Sequence, residues 1–169
     1  MIQYYVTTYQ ETFDDINQIS GELNTGLRLI KEKINEHEKM YGIGILSYLL
    51  ILDKKSGISF FEKNFGDLHI NPDLVGGFLH ALQSFGMEMS ESETSMKTLT
   101  YENYQFQIET GKYVRTALIL RGTPNDFVIT RLQEFLNQFE KNFEEDVKNF
   151  TGNIQIFGPA SALFSAIFK

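Results

Sequence analysis

The chain has 169 residues, of which 42% are hydrophobic and 22% charged, with fifteen Phe, eight Tyr and no Trp. Its formal net charge of −7 weighs against nucleic-acid binding, because affinity for phosphate comes chiefly from Lys and Arg. The absence of Cys excludes disulfides, thiolate metal sites and thiol nucleophiles.

From the N-terminus, residues 10 to 40 place Ile16, Ile19, Leu23, Leu27, Ile30 and Ile34 at steps of three and four, one stripe of a helix. Lys31, Glu32, Lys33, Glu36 and Glu38 fill other faces. Such a helix is expected to cover a core, with a coiled-coil or dimer helix as the alternative. Gly21 and Gly26 either permit close packing or mark a break near Asn24 and Thr25. The run from Ile45 to Leu52 is almost unbrokenly apolar and predicts a strand buried on both faces. A turn over Asp53–Gly57 leads to a returning strand carrying Ile58, Phe60, Phe61 and Phe65.

Asn71-Pro72-Asp73 predicts a helix start, with a capping side chain, a proline suited to the first turn and an acid at the positive dipole end. That helix has Leu74, Phe78, Ala81, Leu82, Phe85 and Met89 on one face. Gly76 and Gly77 would let another backbone approach. The stretch from Ser90 to Ser95 predicts a flexible loop. Three strands follow. Leu99 and Tyr101 alternate with polar neighbours, as do Tyr104, Phe106 and Ile108, and only Glu102-Asn103 separates the two runs. Val114 to Leu120 is again apolar over its second half.

Thr123-Pro124 predicts another helix start, and a stripe from Phe127 through Phe139 to Phe150 keeps helical period for about seven turns. Glu140, Lys141, Glu144, Glu145, Asp146 and Lys148 form its polar face. Ile154 to Phe157 reads as a short extended piece, and a last helix begins near Pro159 with Leu163, Phe164, Ile167 and Phe168 on one side. That helix is expected to pack on the domain; as a membrane-surface helix it has only Lys169 as a basic residue.

The predicted fold is α/β (α+β), with a five-stranded mixed/antiparallel sheet ordered 2-1-5-4-3 and helices on both faces. The reason is burial: the first and fifth strands look apolar on both faces and so belong at the centre. An N-terminal helical segment, 1–44, packing on a domain of 45–169 is the expected organisation, and a chain of this length can bury roughly 70% of its unfolded surface. No basic-then-apolar N-terminal pattern suggests a secretory signal. No run reaches the roughly 18 apolar residues of a membrane span. A cytoplasmic protein is expected.

The element order and the stretches Leu74-Val75-Gly76-Gly77-Phe78-Leu79-His80-Ala81-Leu82-Gln83-Ser84-Phe85-Gly86 and Leu132-Gln133-Glu134-Phe135-Leu136-Asn137-Gln138-Phe139-Glu140 resemble longin-like small proteins of archaea. With the N-terminal helix counted, the arrangement also resembles roadblock domains, in a profilin-like setting. The resemblance covers roughly three quarters of the chain and rests on core-packing patterns. It implies a protein-binding adaptor or platform, in vesicle trafficking or signalling, that contacts a small Ras-like GTPase or assembles as a homo- or hetero-oligomer.

Chemistry-bearing residues are sparse. His37, His69 and His80 lie far apart with no metal-ligand spacing, no phosphate-binding glycine loop is present, and Glu144, Glu145 and Asp146 are helix neighbours that do not converge. No catalytic, cofactor-binding or metal residue is expected. The alternative to a protein-binding module is a small-molecule sensor of the GAF or PAS kind, marked by an apolar cavity with convergent polar groups.

Overall fold

The structure, a computed structural model, describes residues 2–90 and 96–169, with side chains at residue 10 and from residue 12 onward. The predicted loop beyond Ser90 lies outside the described residues. Two compact units are resolved, one ending at Met40 and the other spanning Tyr41–Lys169.

The first helix, α1, runs Ile2–Gly44 without interruption. No break occurs at Asn24 and Thr25; the Thr25 hydroxyl donates to the Gly21 carbonyl within the helix, at 2.9 Å. A Cβ added at Gly21 or Gly26 would meet nothing within 4 Å among the described residues. The predicted apolar stripe is exposed, from Ile16 through Leu23 and Ile30 to Ile34.

The second unit is built on five strands: β1 (Leu46–Asp53), β2 (Ser59–Asn64), β3 (Thr98–Tyr101), β4 (Tyr104–Thr110) and β5 (Val114–Leu120). Their order is β2-β1-β5-β4-β3 and all four pairings are antiparallel. β5 is buried along its whole length and β1 up to its last residue, as two-sided apolar strands require at the centre of a sheet. β3 is mostly exposed, at the free edge. The β3–β4 turn is the expected two-residue one, with Glu102 at a positive φ of 50°.

Helices α2 (Pro72–Ser90), α3 (Asp126–Lys148) and α4 (Ala160–Ile167) complete the unit. On one sheet face Leu49, Ile51, Val114, Leu118 and Leu120 meet α3, α4 and a single turn of 3-10 helix over Ile154–Phe157. Phenylalanine dominates this core. Phe157 is wholly buried, with the rings of Phe60, Phe139, Phe143 and Phe150 centred between 4.8 and 6.0 Å away. The sequence reading of 154–157 as extended is corrected: the Asn153 side chain accepts from Gln155 N and starts a helical turn. The last helix packs on the domain as expected, burying Ala160, Phe164 and Ile167. The α3 start lies slightly later than predicted, because Asn125, not Thr123, caps it by accepting from Val128 N at 3.2 Å.

On the other face Leu50, Leu52, Ile108, Ala117 and Ile119 meet Leu79 of α2, with Tyr48 among them. The Tyr48 hydroxyl donates to the Glu62 carboxylate. Burial first, then the bond to Glu62, pushes the phenol up to about 12 from its ordinary 10.0. The folded chain therefore holds this proton more tightly than the unfolded chain does. The resulting stabilisation is complete below pH 10 and is lost as pH rises toward 12. Urea titrations of Tyr48→Phe and the parent chain across pH 9–12 should diverge by roughly 2 kcal/mol in that window. A parent chain whose stability tracks Tyr48→Phe at a constant offset would refute the assignment.

Candidate protein-interaction surface

α2 begins where the sequence indicates. Asn71 Oδ1 accepts from Asp73 N and Leu74 N at 3.0 and 3.1 Å, and Pro72 occupies the first helical position. The orientation of the helix, however, differs from expectation. Its sheet-facing side carries Gly76, Leu79 and Gln83. The apolar face read from the sequence points largely to solvent: Leu74 is 73% exposed, Phe78 50%, Phe85 59% and Met89 70%.

Glycine explains this rotation. A Cβ on Gly76 would fall on the Gly57 carbonyl oxygen of the β1–β2 turn, and would lie 3.1 Å from Leu52 Cδ2. Gly57 itself has a φ of +73°, and a Cβ there would be 2.8 Å from His80 Cβ. The helix and the hairpin turn thus touch backbone to backbone, which only glycine permits. Seating the glycine side on the turn directs the larger apolar side chains outward. Gly77, one residue on, has nothing within 4 Å of where its Cβ would stand. Of the two glycines that the sequence reading treated together, only Gly76 is a packing feature.

The outward face is an apolar ridge on a helix with few charges, Asp73 and Glu88 lying at opposite ends. Beside it, the sheet surface of β3 and β4 is incompletely covered, leaving Met96, Leu99, Tyr104 and Phe106 half-buried. Gln83 links the two regions, its side-chain carbonyl accepting from Met96 N at 3.0 Å just before β3. Among the described residues β3 pairs only with β4. Ridge, half-covered sheet and edge strand therefore lie on one side of the unit. Large apolar surface of this kind marks a place where another molecule sits.

The three histidines lie on different parts of the chain: His37 on α1, His69 in the loop before α2 and His80 on α2. Among the described residues no three His, Asp or Glu are grouped to hold a metal. Glu140, read from sequence as part of a solvated face, has a structural role. Its carboxylate accepts from the backbone N–H groups of Lys112, Tyr113 and Val114 at 3.1, 2.7 and 3.0 Å, fixing the β4–β5 turn to α3. Against that turn lies an open cleft of about 630 Å³, lined by Lys54, Lys55, Lys112 and Lys148 over Phe60, Tyr113 and Phe150. Two of its lysines already face Glu144, Lys148 at 2.9 Å and Lys112 at 3.8 Å. These bonds hold Glu144 below the usual carboxylate range and raise Lys148. Arg115, 4% exposed inside β5, was also hidden by the apolar run around it; burial lowers its pKa.

Among solved structures, the chain is similar to MglB in a tetrameric arrangement, at 12% identity and a TM-score of 0.50. The match covers 66% of this chain and 85% of that one. The fold is roadblock/longin-like. A gliding protein MglB from Thermus thermophilus matches at 13% identity over 58% of this chain and 76% of its own, with a TM-score of 0.45. No family model and no curated protein matches the sequence. On this roadblock/longin-like frame, the exposed α2 ridge and the β3 edge form the candidate surface for binding another protein.

Proposed function

We propose that this roadblock/longin-like chain is a non-catalytic protein-interaction module, an adaptor or platform whose docking face is the outer side of α2 with the adjoining β3 edge. The exposure of Leu74, Phe78, Phe85 and Met89 along one helix face carries this reading. Removing that ridge from water is a driving force for association, and bulky aromatic anchors such as Phe78 and Phe85 are the side chains on which interface energy concentrates. A small Ras-like GTPase, in a trafficking or signalling setting in the cytoplasm, is the partner class that the longin/roadblock resemblance implies.

The test is capture of purified Ras-like GTPases, loaded with GDP or a GTP analogue, by the immobilised full chain. Phe85→Asp and Phe78→Asp on the exposed ridge should each weaken capture at least tenfold while leaving the melting temperature of the chain within a few degrees. Equal capture by parent and variants would overturn the assignment of the face. Absence of capture by any GTPase, together with a sharp rise in melting temperature with one small metabolite, would favour the sensor alternative.

A further inference from the structure

We infer that α1 pairs with α1 of a second copy of this chain as a parallel, in-register coiled coil. The proposal goes beyond the α2 docking face and does not depend on it.

The stripe on α1 keeps a seven-residue repeat. With Phe13, Leu27 and Ile34 at one set of core positions and Ile16, Leu23 and Ile30 at the other, the spacing stays in phase from residue 13 to residue 34. All six side chains are between 52% and 63% exposed, and among the described residues the unit that ends at Met40 contains no second element to cover them. A helix of 43 residues draws most of its stability from burying an apolar face, and the side chains of this face are more than half exposed. Charged residues occupy the outer positions: Asp14, Asp15, Glu22, Arg28, Glu32, Glu36 and Lys39 all avoid the stripe. Arg28 and Lys33 make ion pairs with Glu32 and Glu36 along the helix, at 4.0 and 3.0 Å.

Two observations select a second copy in parallel. Lys33 and Glu38 flank the stripe on opposite sides and are five residues apart, the offset at which flanking side chains of neighbouring parallel helices meet. In an in-register pair, Lys33 of each copy faces Glu38 of the other, and the attraction is made twice by symmetry. Area gives the second argument. Six half-exposed apolar side chains on each of two copies bury roughly 1,200 Å² in total, the size at which specific interfaces begin. Ser20 and His37, the polar residues at core positions, would then face their own counterparts.

Because the chain has no Cys, a single introduced thiol reports on one position alone. In the full chain, Ser20→Cys lies at a core position and Gln18→Cys on the outside of the same turn. Mild oxidation should convert most of the Ser20→Cys chain, and little of the Gln18→Cys chain, to a disulfide-linked dimer. Light scattering should give the mass of two chains for the parent and of one chain for Ile30→Asp, whose side chain is exposed and whose loss leaves the Tyr41–Lys169 unit folded. A dimeric mass without Ser20→Cys cross-linking would mean an antiparallel or different pairing and overturns the proposal. So does a dimer that Ile30→Asp leaves intact and Phe85→Asp dissolves, an outcome that would place self-association on the α2 ridge. Loss of GTPase capture by Phe85→Asp with Ser20→Cys cross-linking retained would keep the two surfaces separate.

Discussion

Phe157→Ala should lower the stability of the Tyr41–Lys169 unit by about 3–5 kcal/mol. Phe157 has no exposure, and four phenylalanine rings surround it, drawn from β2, α3 and the segment that follows α3. Truncation removes the transfer energy of one ring and leaves a cavity that the neighbours, fixed to a sheet and a long helix, cannot fill by small movements. A domain of this size has only about 5–15 kcal/mol in total, so the variant should melt far below the parent. Ile154→Ala, in the same turn but 53% exposed, is the control and should cost less than about 1 kcal/mol. Equal losses for the two variants in urea denaturation would show that the turn, and not the ring, is what matters.

Gly76→Ala and Gly77→Ala should move stability in opposite directions. At Gly76 the added methyl meets the backbone of Gly57, which cannot rotate away as a side chain would, so α2 must lift from the hairpin. Overpacking of this kind costs about 1–3 kcal/mol and more where the obstacle is backbone. At Gly77 the methyl enters open space, and replacing a helical glycine by alanine should raise stability by up to about 1 kcal/mol. Thermal melts of the two variants beside the parent decide the matter. A loss at Gly77 as large as that at Gly76 would contradict the backbone contact as its cause. Because Gly76 also sets the direction in which Phe78 and Phe85 point, Gly76→Ala should weaken capture of any partner that docks on the ridge.

The same pair of glycines separates what could be read in advance from what could not. Asn71-Pro72 located the start of α2 because capping is a local interaction among neighbouring residues. The direction of the helix was not legible: Leu74, Phe78 and Phe85 make one apolar face, Val75 and Leu79 are apolar on another, and periodicity does not rank two such faces. The candidate surface was therefore not identified from the sequence. In α3, the stripe through Leu132, Phe135 and Phe139 was unambiguous because polar and charged residues fill nearly all the remaining positions. Glu140 still escaped notice, since a carboxylate that accepts three backbone N–H groups from a turn 26 to 28 residues away looks like any other surface acid in a sequence.

By itself, the sequence determined the strand order β2-β1-β5-β4-β3 and the class of fold. Apolarity on both sides of most of Leu46–Leu52 and of Ala117–Leu120 is satisfied at the centre of a sheet between helical layers. Tertiary structure alone decided which side of α2 faces water, that residues 154–157 coil into a turn around Phe157, and that Glu140 fastens a hairpin. The physical reason is range. Patterns of two and 3.6 residues record what each element demands of its surroundings, whereas a backbone contact between Gly57 and Gly76 exists only after distant segments have met.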